Sequence, residues 1–360
     1  MTNRAETLAR AAMLRAAFEA AGAQPIETAI LQPADTLLDL YGEEIRARAY
    51  VTSDALRGEQ MLRPDFTVPV VQMHMAHGAE PARYTYAGEV FRRQEHDPAR
   101  ANEYVQVGYE VFDRANPAAA DAEVFALLAN LVAGLKLRAV TGDIGILMAA
   151  VQGLNTTDAR KAALLRHLWR PRRFRSLLDR YAGRTAPSKQ RKALIDGAIP
   201  VSDVPAVGRR TQTEIDQRIA RLREDAQTPV LSEVEVDLLD AVMNVRETLP
   251  FALQNLSDLS GDLPSIAPAV ARLSARADAL DARGIDVETL PFEANFGRTV
   301  MEYYDGFVFG FYSETRPDLP PIAQGGRYDA LTLRLGEGAT IPAVGGVLRP
   351  DLMLDLEASA

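Results

Sequence analysis

The sequence predicts an α+β fold: a sheet-bearing core interrupted by a mainly helical insertion. Three observations point there. Two segments, 84–92 and 103–112, alternate β-forming residues with small or polar ones, as strands do. Residues 155–284 are rich in Ala, Leu and Arg at helical spacing and poor in aromatics. From Leu290 the β character returns, with FVFGFYS near residue 310 and a glycine-rich stretch beyond it. Strands early, helices in the middle and strands late suit α+β better than alternating βαβ units. The expected divisions are 1–150 for the first part of the core, 151–285 for the insertion and 286–360 for the second part.

In chain order, residues 4–21 read as an amphipathic helix. Leu14 and Phe18 lie four apart, Ala11 and Ala21 fall on the same side, and Gly22 is a plausible stop. Pro64 fixes its own backbone and biases Arg63 to extended geometry. Asp65 and Thr67 are two apart and on a strand would point the same way, a carboxylate and a hydroxyl suited to an ammonium group. A capping or turn role fits them equally well. The two strands enclose a polar, charged loop, so they form a long hairpin. On its return strand Gln106, Gly108 and Glu110 share one face, and Val105, Val107, Tyr109 and Val111 share the other. The valine face is the core face. The Gln106/Glu110 face either lines something polar, with Gly108 leaving room for a ligand, or meets solvent. On the outgoing strand Gly88, Val90 and Arg92 lie on one side, and Arg92 is placed to meet an anion through its two-pronged donor geometry. Residues 121–138 read as a helix.

The insertion opens with Arg160, Lys161, Arg166, Arg170, Arg172, Arg173 and Arg175. These are read as a solvated helix face, or as a contact for a partner protein or RNA. The stretch IDGAIPVSDVPAVG divides the insertion. After it, Tyr303 and Tyr304 offer flat walls with hydroxyl tips, and two glycine turns, GGRYD at 325–329 and GGVLRP at 345–350, each adjoin an arginine. Neither is a Walker loop or a dinucleotide fingerprint.

Composition narrows the function classes. With 47% hydrophobic residues in 360, the chain can bury a real core. No apolar run approaches the roughly 20 residues that span a bilayer, and arginines and glutamates interrupt the N-terminal segment, so a signal peptide is not expected. The absence of cysteine removes disulfides, thiolate metal sites and cysteine nucleophiles. A cytoplasmic protein is expected. The net charge of −9 disfavours, without excluding, a nucleic-acid grip. His74 and His77 have helical spacing but no matching carboxylate, so no metal site is expected.

LRPDFT, YAGEVFRR, EYVQVGYEVF, EYYDGFVF and GGRYDAL, in that order, resemble the catalytic domain of histidyl-tRNA synthetases. The resemblance covers roughly residues 40–150 and 290–350. It implies a class II aminoacyl-tRNA-synthetase-like antiparallel sheet flanked by helices. It implies that Asp65, Thr67, Gln106 and Glu110 hold a histidine amino group and that Tyr303, Tyr304 and Tyr328 surround the imidazole. Arg92, counted also among the histidine-binding residues, falls at the motif 2 arginine and Arg349 at the motif 3 arginine, together a vestigial ATP site. The departures matter as much. Thr299 stands where the synthetases carry the arginine that stabilises adenylation, and Arg298 is one residue off, which on a strand is the opposite face. Gln94 and Leu348 replace the glutamates of motifs 2 and 3. Losing preorganised charges aimed at a transition state costs ~2–4 kcal/mol each, whereas amino-acid binding can outlast them. No anticodon-binding domain is expected after motif 3.

Within the family this profile is similar to the regulatory subunits of ATP phosphoribosyltransferase. That implies a homodimer within a hetero-octamer, a short-form catalytic subunit as partner, L-histidine as feedback ligand, no cofactor and no catalysis by this chain alone. The alternatives are an active histidine-activating enzyme and a stand-alone histidine sensor or RNA-binding module.

Overall fold

The protein is described by a computed structural model, which covers residues 3–41, 45–94, 100–198, 208, 210–298 and 303–359. The first helix, α1 (Arg4–Ala20), starts where the Asn3 side chain accepts a hydrogen bond from Ala5 N, an N-cap. It buries Ala11, Leu14 and Phe18 as expected, and Phe18 stacks on Tyr109 at 5.2 Å. Ala21 lies beyond the helix and is exposed. Gly22 has φ +95°, a left-handed turn that ends the helix without strain.

The strands β1 (Gln24–Pro25) and β2 (Leu31–Pro33) precede helices α2 (Ala34–Tyr41) and α3 (Ile45–Arg48). Strands β3 (Val51–Asp54) and β4 (Gly58–Leu62) lead to α4 (Thr67–His77). The predicted hairpin is β5 (Ala82–Phe91) with β6 (Glu103–Phe112), paired from Ala82↔Phe112 to Phe91↔Glu103. Residues 95–99 of its charged loop lie outside the described residues.

The helix expected over 121–138 is α5 (Pro117–Val132). It starts earlier because the Asn116 side chain caps Ala119 N and Pro117 supplies a preset first turn. It stops at Val132, ahead of Gly134, and Leu137 already belongs to strand β7 (Leu137–Asp143). Helix α6 (Ile144–Gly153) follows, N-capped by Asp143.

The segment expected to be an insertion is helical throughout most of its described length: α7 (Asp158–Arg166), α8 (Pro171–Tyr181), α9 (Lys189–Ile195), α10 (Gln212–Gln227), α11 (Glu233–Asn244), α12 (Leu249–Asp262) and α13 (Ala267–Asp281). Most of the dividing stretch, residues 199–207, lies outside the described residues. One strand interrupts the helices: β8 (Arg246–Thr248) joins β9 (Pro291–Glu293) at the edge of the main sheet. The basic start is not one solvated face. Arg160 is buried, pairing with Asp225 at 2.7 Å and donating to the carbonyls of Asp225, Thr228 and Pro229. Arg175 pairs with Asp240, while Arg166 and Arg172 are exposed.

The closing elements are β10 (Phe307–Ser313), β11 (Ala323–Arg327), α14 (Asp329–Leu335), β12 (Ala343–Leu348) and α15 (Pro350–Glu357). The nine-stranded sheet runs β1-β5-β6-β12-β11-β10-β7-β9-β8, and β2-β4-β3 form a second, small sheet. The main sheet is antiparallel except at β1·β5 and β7·β9. Within it β6, from the first third of the chain, pairs with β12, from the last.

His74 is a core residue: its Nδ1 lies 3.1 Å from the Tyr84 hydroxyl and its ring stacks on Phe112. His77 is exposed. Among the described residues no cluster of His, Asp or Glu could hold a metal ion, and no helix is long and apolar enough to cross a membrane.

Candidate functional site

The site is built on the face of β6 that carries Gln106, Gly108 and Glu110. The alternation read from the sequence holds, but both faces are buried: Gln106 is 2% exposed and Glu110 1%. The solvent-facing alternative is thereby excluded. Gly108 does not make room for a ligand directly. A Cβ there would lie 2.1 Å from the ring of Tyr86 on the neighbouring strand. The space belongs to Tyr86, whose ring stacks on Phe66 at 4.2 Å. Across the other side of β6, Gly345 is paired with Glu110, and a Cβ on it would fall 1.4 Å from Glu110 Oε2. A side chain at 345 would force the Glu110 carboxylate to move.

Three hydroxyls converge on Glu110. Tyr86 donates to Oε1 at 2.8 Å, Thr67 to the same oxygen at 3.1 Å, and Tyr328 to Oε2 at 2.5 Å. Thr67 and Asp65 do not sit on a strand as first read. Thr67 opens helix α4, and Asp65 Oδ1 accepts from Val68 N at 3.3 Å, so the carboxylate also caps the helix. The turn role and the pocket role fall on the same residue. Arg92, just past the end of β5, is braced by donating from Nε to the Pro64 carbonyl at 2.6 Å.

Asp65, Thr67, Arg92, Gln106, Glu110, Tyr303 and Tyr304 line one narrow cleft, together with Gln324, Gly345, Gly346 and Val347. Tyr328 stands behind it, joined through Glu110. The three tyrosines meet edge to face: Tyr303 to Tyr304 at 4.9 Å and 67°, Tyr303 to Tyr328 at 6.1 Å and 84°. Tyr303 also donates to Thr67 Oγ1 at 3.4 Å.

The groups expected at a nucleotide end are disposed differently. Arg349 is not among the lining residues. Its guanidinium lies 3.9 Å above the Tyr104 ring and pairs with Asp351 at 2.9 Å. Arg298 turns toward the helical segment, donating to Leu168 O and to Asn295 Oδ1, both at 2.8 Å, and lying over Phe174. Thr299 lies outside the described residues. Gln94 donates to the Ala101 carbonyl, and Leu348 is buried, an apolar side chain where the family carries an acid.

Burial drives the electrostatics. It pushes the Glu110 carboxyl up to about 7, against the three hydroxyls, which favour the ionised form; the Asp65 charge adds to the rise. Burial, then Glu110 itself, holds the Tyr86 and Tyr328 hydroxyls far above the ordinary range, so both remain donors. Gln106 Oε1 is buried and has no hydrogen-bond partner among the described residues, an unmet acceptor of the kind a ligand N–H satisfies. The cleft thus offers two carboxylates and an amide oxygen for N–H donors, aromatic walls for a flat ring, and one guanidinium for an anion. A zwitterion with a ring N–H matches that set. The resemblance assigns Glu110 to the amino group, and its hydrogen bonds to Tyr86 and Tyr328 as well as to Thr67 set it beside the aromatic walls too.

Tyr86 and Gln324 lie in segments singled out in the sequence, but no role was assigned to either. Tyr86 is on the same strand face as Gly88 and Arg92, so alternation alone could have found it. Gln324 opens the glycine turn QGGRYD, but the turn pattern gives it no role in the cleft, which it reaches through the pairing of β11 with β12.

Comparisons with known proteins bear on the chain's family and fold. The family profile described as histidyl-tRNA synthetase matches residues 2–197 and 209–352. A protein of Brucella ovis called ATP phosphoribosyltransferase regulatory subunit is 29% identical over 353 residues, covering 92% of this chain and 93% of that protein. Its counterpart in Brucella abortus is also 29% identical over 353 residues, covering 92% of each chain. Among solved structures, an ATP phosphoribosyltransferase regulatory subunit/histidyl-tRNA synthetase from Bacillus halodurans superposes with a TM-score of 0.68 at 20% identity, over 99% of this chain and 81% of that one. A histidine–tRNA ligase subunit from Alicyclobacillus acidocaldarius gives 0.61 at 24% identity, over 100% and 96%.

Proposed function

Because the chain belongs to the histidyl-tRNA synthetase family, we propose that it is a regulatory subunit of ATP phosphoribosyltransferase that binds L-histidine and performs no catalysis alone. The observation that carries this is the contrast between the two ends of the cleft. The amino-acid end is complete, with Glu110 held by three hydroxyls beside Gln106 and Asp65. At the nucleotide end Leu348 is apolar, Arg349 is engaged by Asp351, and Arg298 faces away. The names of the Brucella relatives support the same reading.

In this reading the partner is a short-form catalytic subunit, joined in a hetero-octamer built on homodimers, in the cytoplasm. Histidine inhibits by binding the inhibited arrangement more tightly than the active one, since a ligand of equal affinity for both shifts nothing. The division into 1–150, 151–285 and 286–360, core–helical segment–core, is part of the proposal, with the qualification that β8 lends one strand of the helical segment to the core sheet.

Titration calorimetry with L-histidine, with and without the catalytic subunit, tests it. Saturable binding is expected, altered by the partner. Glu110→Ala should weaken binding at least tenfold and relieve feedback inhibition while leaving assembly intact. A variant that stays fully inhibitable would sink the pocket assignment. Arg92 in the cleft favours a second reading, a histidine-activating enzyme. Histidine-dependent ATP–pyrophosphate exchange would establish that reading in place of the first.

A further inference from the structure

Tyr304 is followed directly by Asp305, and Tyr328 by Asp329. The Asp305 carboxylate accepts from Asp329 N at 2.9 Å and from Ala330 N at 2.5 Å, the first residues of α14. Its own N–H donates to the Arg327 carbonyl at 3.0 Å. Three bonds from one residue therefore lash the segment bearing Tyr303 and Tyr304 to the turn bearing Tyr328. The fit is close: a Cβ on Gly326 would come within 2.8 Å of the Tyr304 ring.

The lashing continues inward through charge. Arg327 donates to Asp329 Oδ1 at 3.0 Å and to Asp121 Oδ1 at 2.7 Å. Asp121 Oδ2 accepts from Arg276 at 2.9 Å, and Arg276 also donates to Asp143 Oδ2 at 2.8 Å. Asp121, Asp143, Arg276 and Arg327 are all buried. They come from α5, the cap of α6, α13 and β11, so Arg276 is the point where the helical segment enters the chain of contacts. Buried ion networks contribute little net stability but resist the loss of one member strongly. What such a network supplies here is fixed geometry. Neither Asp305 nor Arg276 lines the cleft.

We propose that Asp305 is a positioning residue for the ligand slot, holding Tyr303 and Tyr304 against Tyr328, and that Arg276 ties this arrangement to the seating of α13. The proposal deepens the reading of the cleft as a histidine site and rests on it for its binding arm. A shift of α13 relative to the sheet moves Arg276, and with it Asp121, Arg327 and the clasp at Asp305. The helical segment thereby gains a route to the aromatic walls without touching ligand.

Asp305→Asn tests the clasp. The amide keeps the size but turns an N–H₂ group toward one of two backbone donors. The expected result is a Kd for L-histidine raised at least tenfold, with the near-UV circular dichroism of the buried tyrosines altered in ligand-free protein and the far-UV spectrum unchanged. Combined with Tyr328→Phe, the loss should fall well short of the product of the two single losses, because both act on the same wall. Arg276→Lys should give the same changes in weaker form, a Kd raised about threefold or more, and decides the matter if Asp305→Asn does not fold. A Kd within twofold of wild type with an unchanged near-UV spectrum overturns the proposal, as do strictly multiplicative losses. If the wild-type protein binds no histidine, the functional reading fails, and the ligand-free near-UV spectra alone decide the positioning role: altered bands support it, unaltered bands refute it.

Discussion

Glu110 is a buried carboxylate that accepts hydrogen bonds from the hydroxyls of Thr67, Tyr86 and Tyr328, and its behaviour with pH follows from that. Its folded value, about 7, lies above the 4.5 of an unburied glutamate. Its contribution to stability is therefore complete below about pH 4.5 and is lost as pH rises through 7. Replacing it by glutamine removes that loss. Glu110→Gln should gain in thermal midpoint relative to wild type between pH 5 and pH 8, and a difference that is flat or reversed would show that the carboxylate is not held up by burial. Ligand binding should show the same group from the other side. A ligand N–H docked on Glu110 favours the ionised form, so histidine binding near pH 6 should release a proton that Glu110→Gln does not release. Calorimetry in buffers of different ionisation enthalpy measures it. At this scale the sequence was informative where chemistry follows alternation along one strand: Gln106 and Glu110 were separable from their valine neighbours by period alone. It was uninformative where a partner lies across space. Asp351 is only two residues from Arg349, but nothing in the sequence places the Tyr104 ring beneath the same guanidinium.

Strands and helices make the cleft by approaching without side chains between them. Gly345 admits the Glu110 carboxylate, and Gly108 admits the Tyr86 ring. Gly345→Ala should destabilise the fold by ~1–3 kcal/mol, as overpacking of a filled core does, and should also disturb histidine binding, because what must move is Glu110. Equilibrium urea unfolding measures the first effect. A variant as stable as wild type would mean that Glu110 has another place to go. Element identity was legible for α1 and for the β5–β6 hairpin, whose patterns are long and regular. It failed at Asp65–Thr67, where the extended bias of Arg63-Pro64 suggested a strand but the chain turns into α4 within two residues. It failed again at the end of α5, where apolar residues continue at helical spacing past Gly134 while the backbone has already entered β7. Local pattern cannot tell those cases apart, since the choice is made by pairing with β10.

In the whole molecule the helical segment is unevenly anchored. Helices α9 and α10 bury no residue, whereas α11, α12 and α13 each bury several. Arg160 is a strong tie at the C-terminal end of α10. Amide hydrogens of α9 and α10 should exchange at least tenfold faster than those of α5, together as a unit, as weakly packed elements do; equal protection would require a cover on them in solution. The α+β class and the helical middle were readable from composition and periodicity, but the strand that β8 adds to the sheet was not, because three residues carry no pattern. The pairing of β6 with β12 has a consequence for how the protein is made. Glu110 emerges from the ribosome with its side chain bound for a space whose opposite wall, Gly345, is more than two hundred residues away. Until that wall is synthesised, the edge of β6 stays open and a carboxylate destined for burial stays in water. The cleft is thus one of the last parts of the molecule to exist. The slow step in its appearance should be the closing of that long loop, and a nascent chain halted before β12 should hold its early helices without any capacity to recognise a ligand.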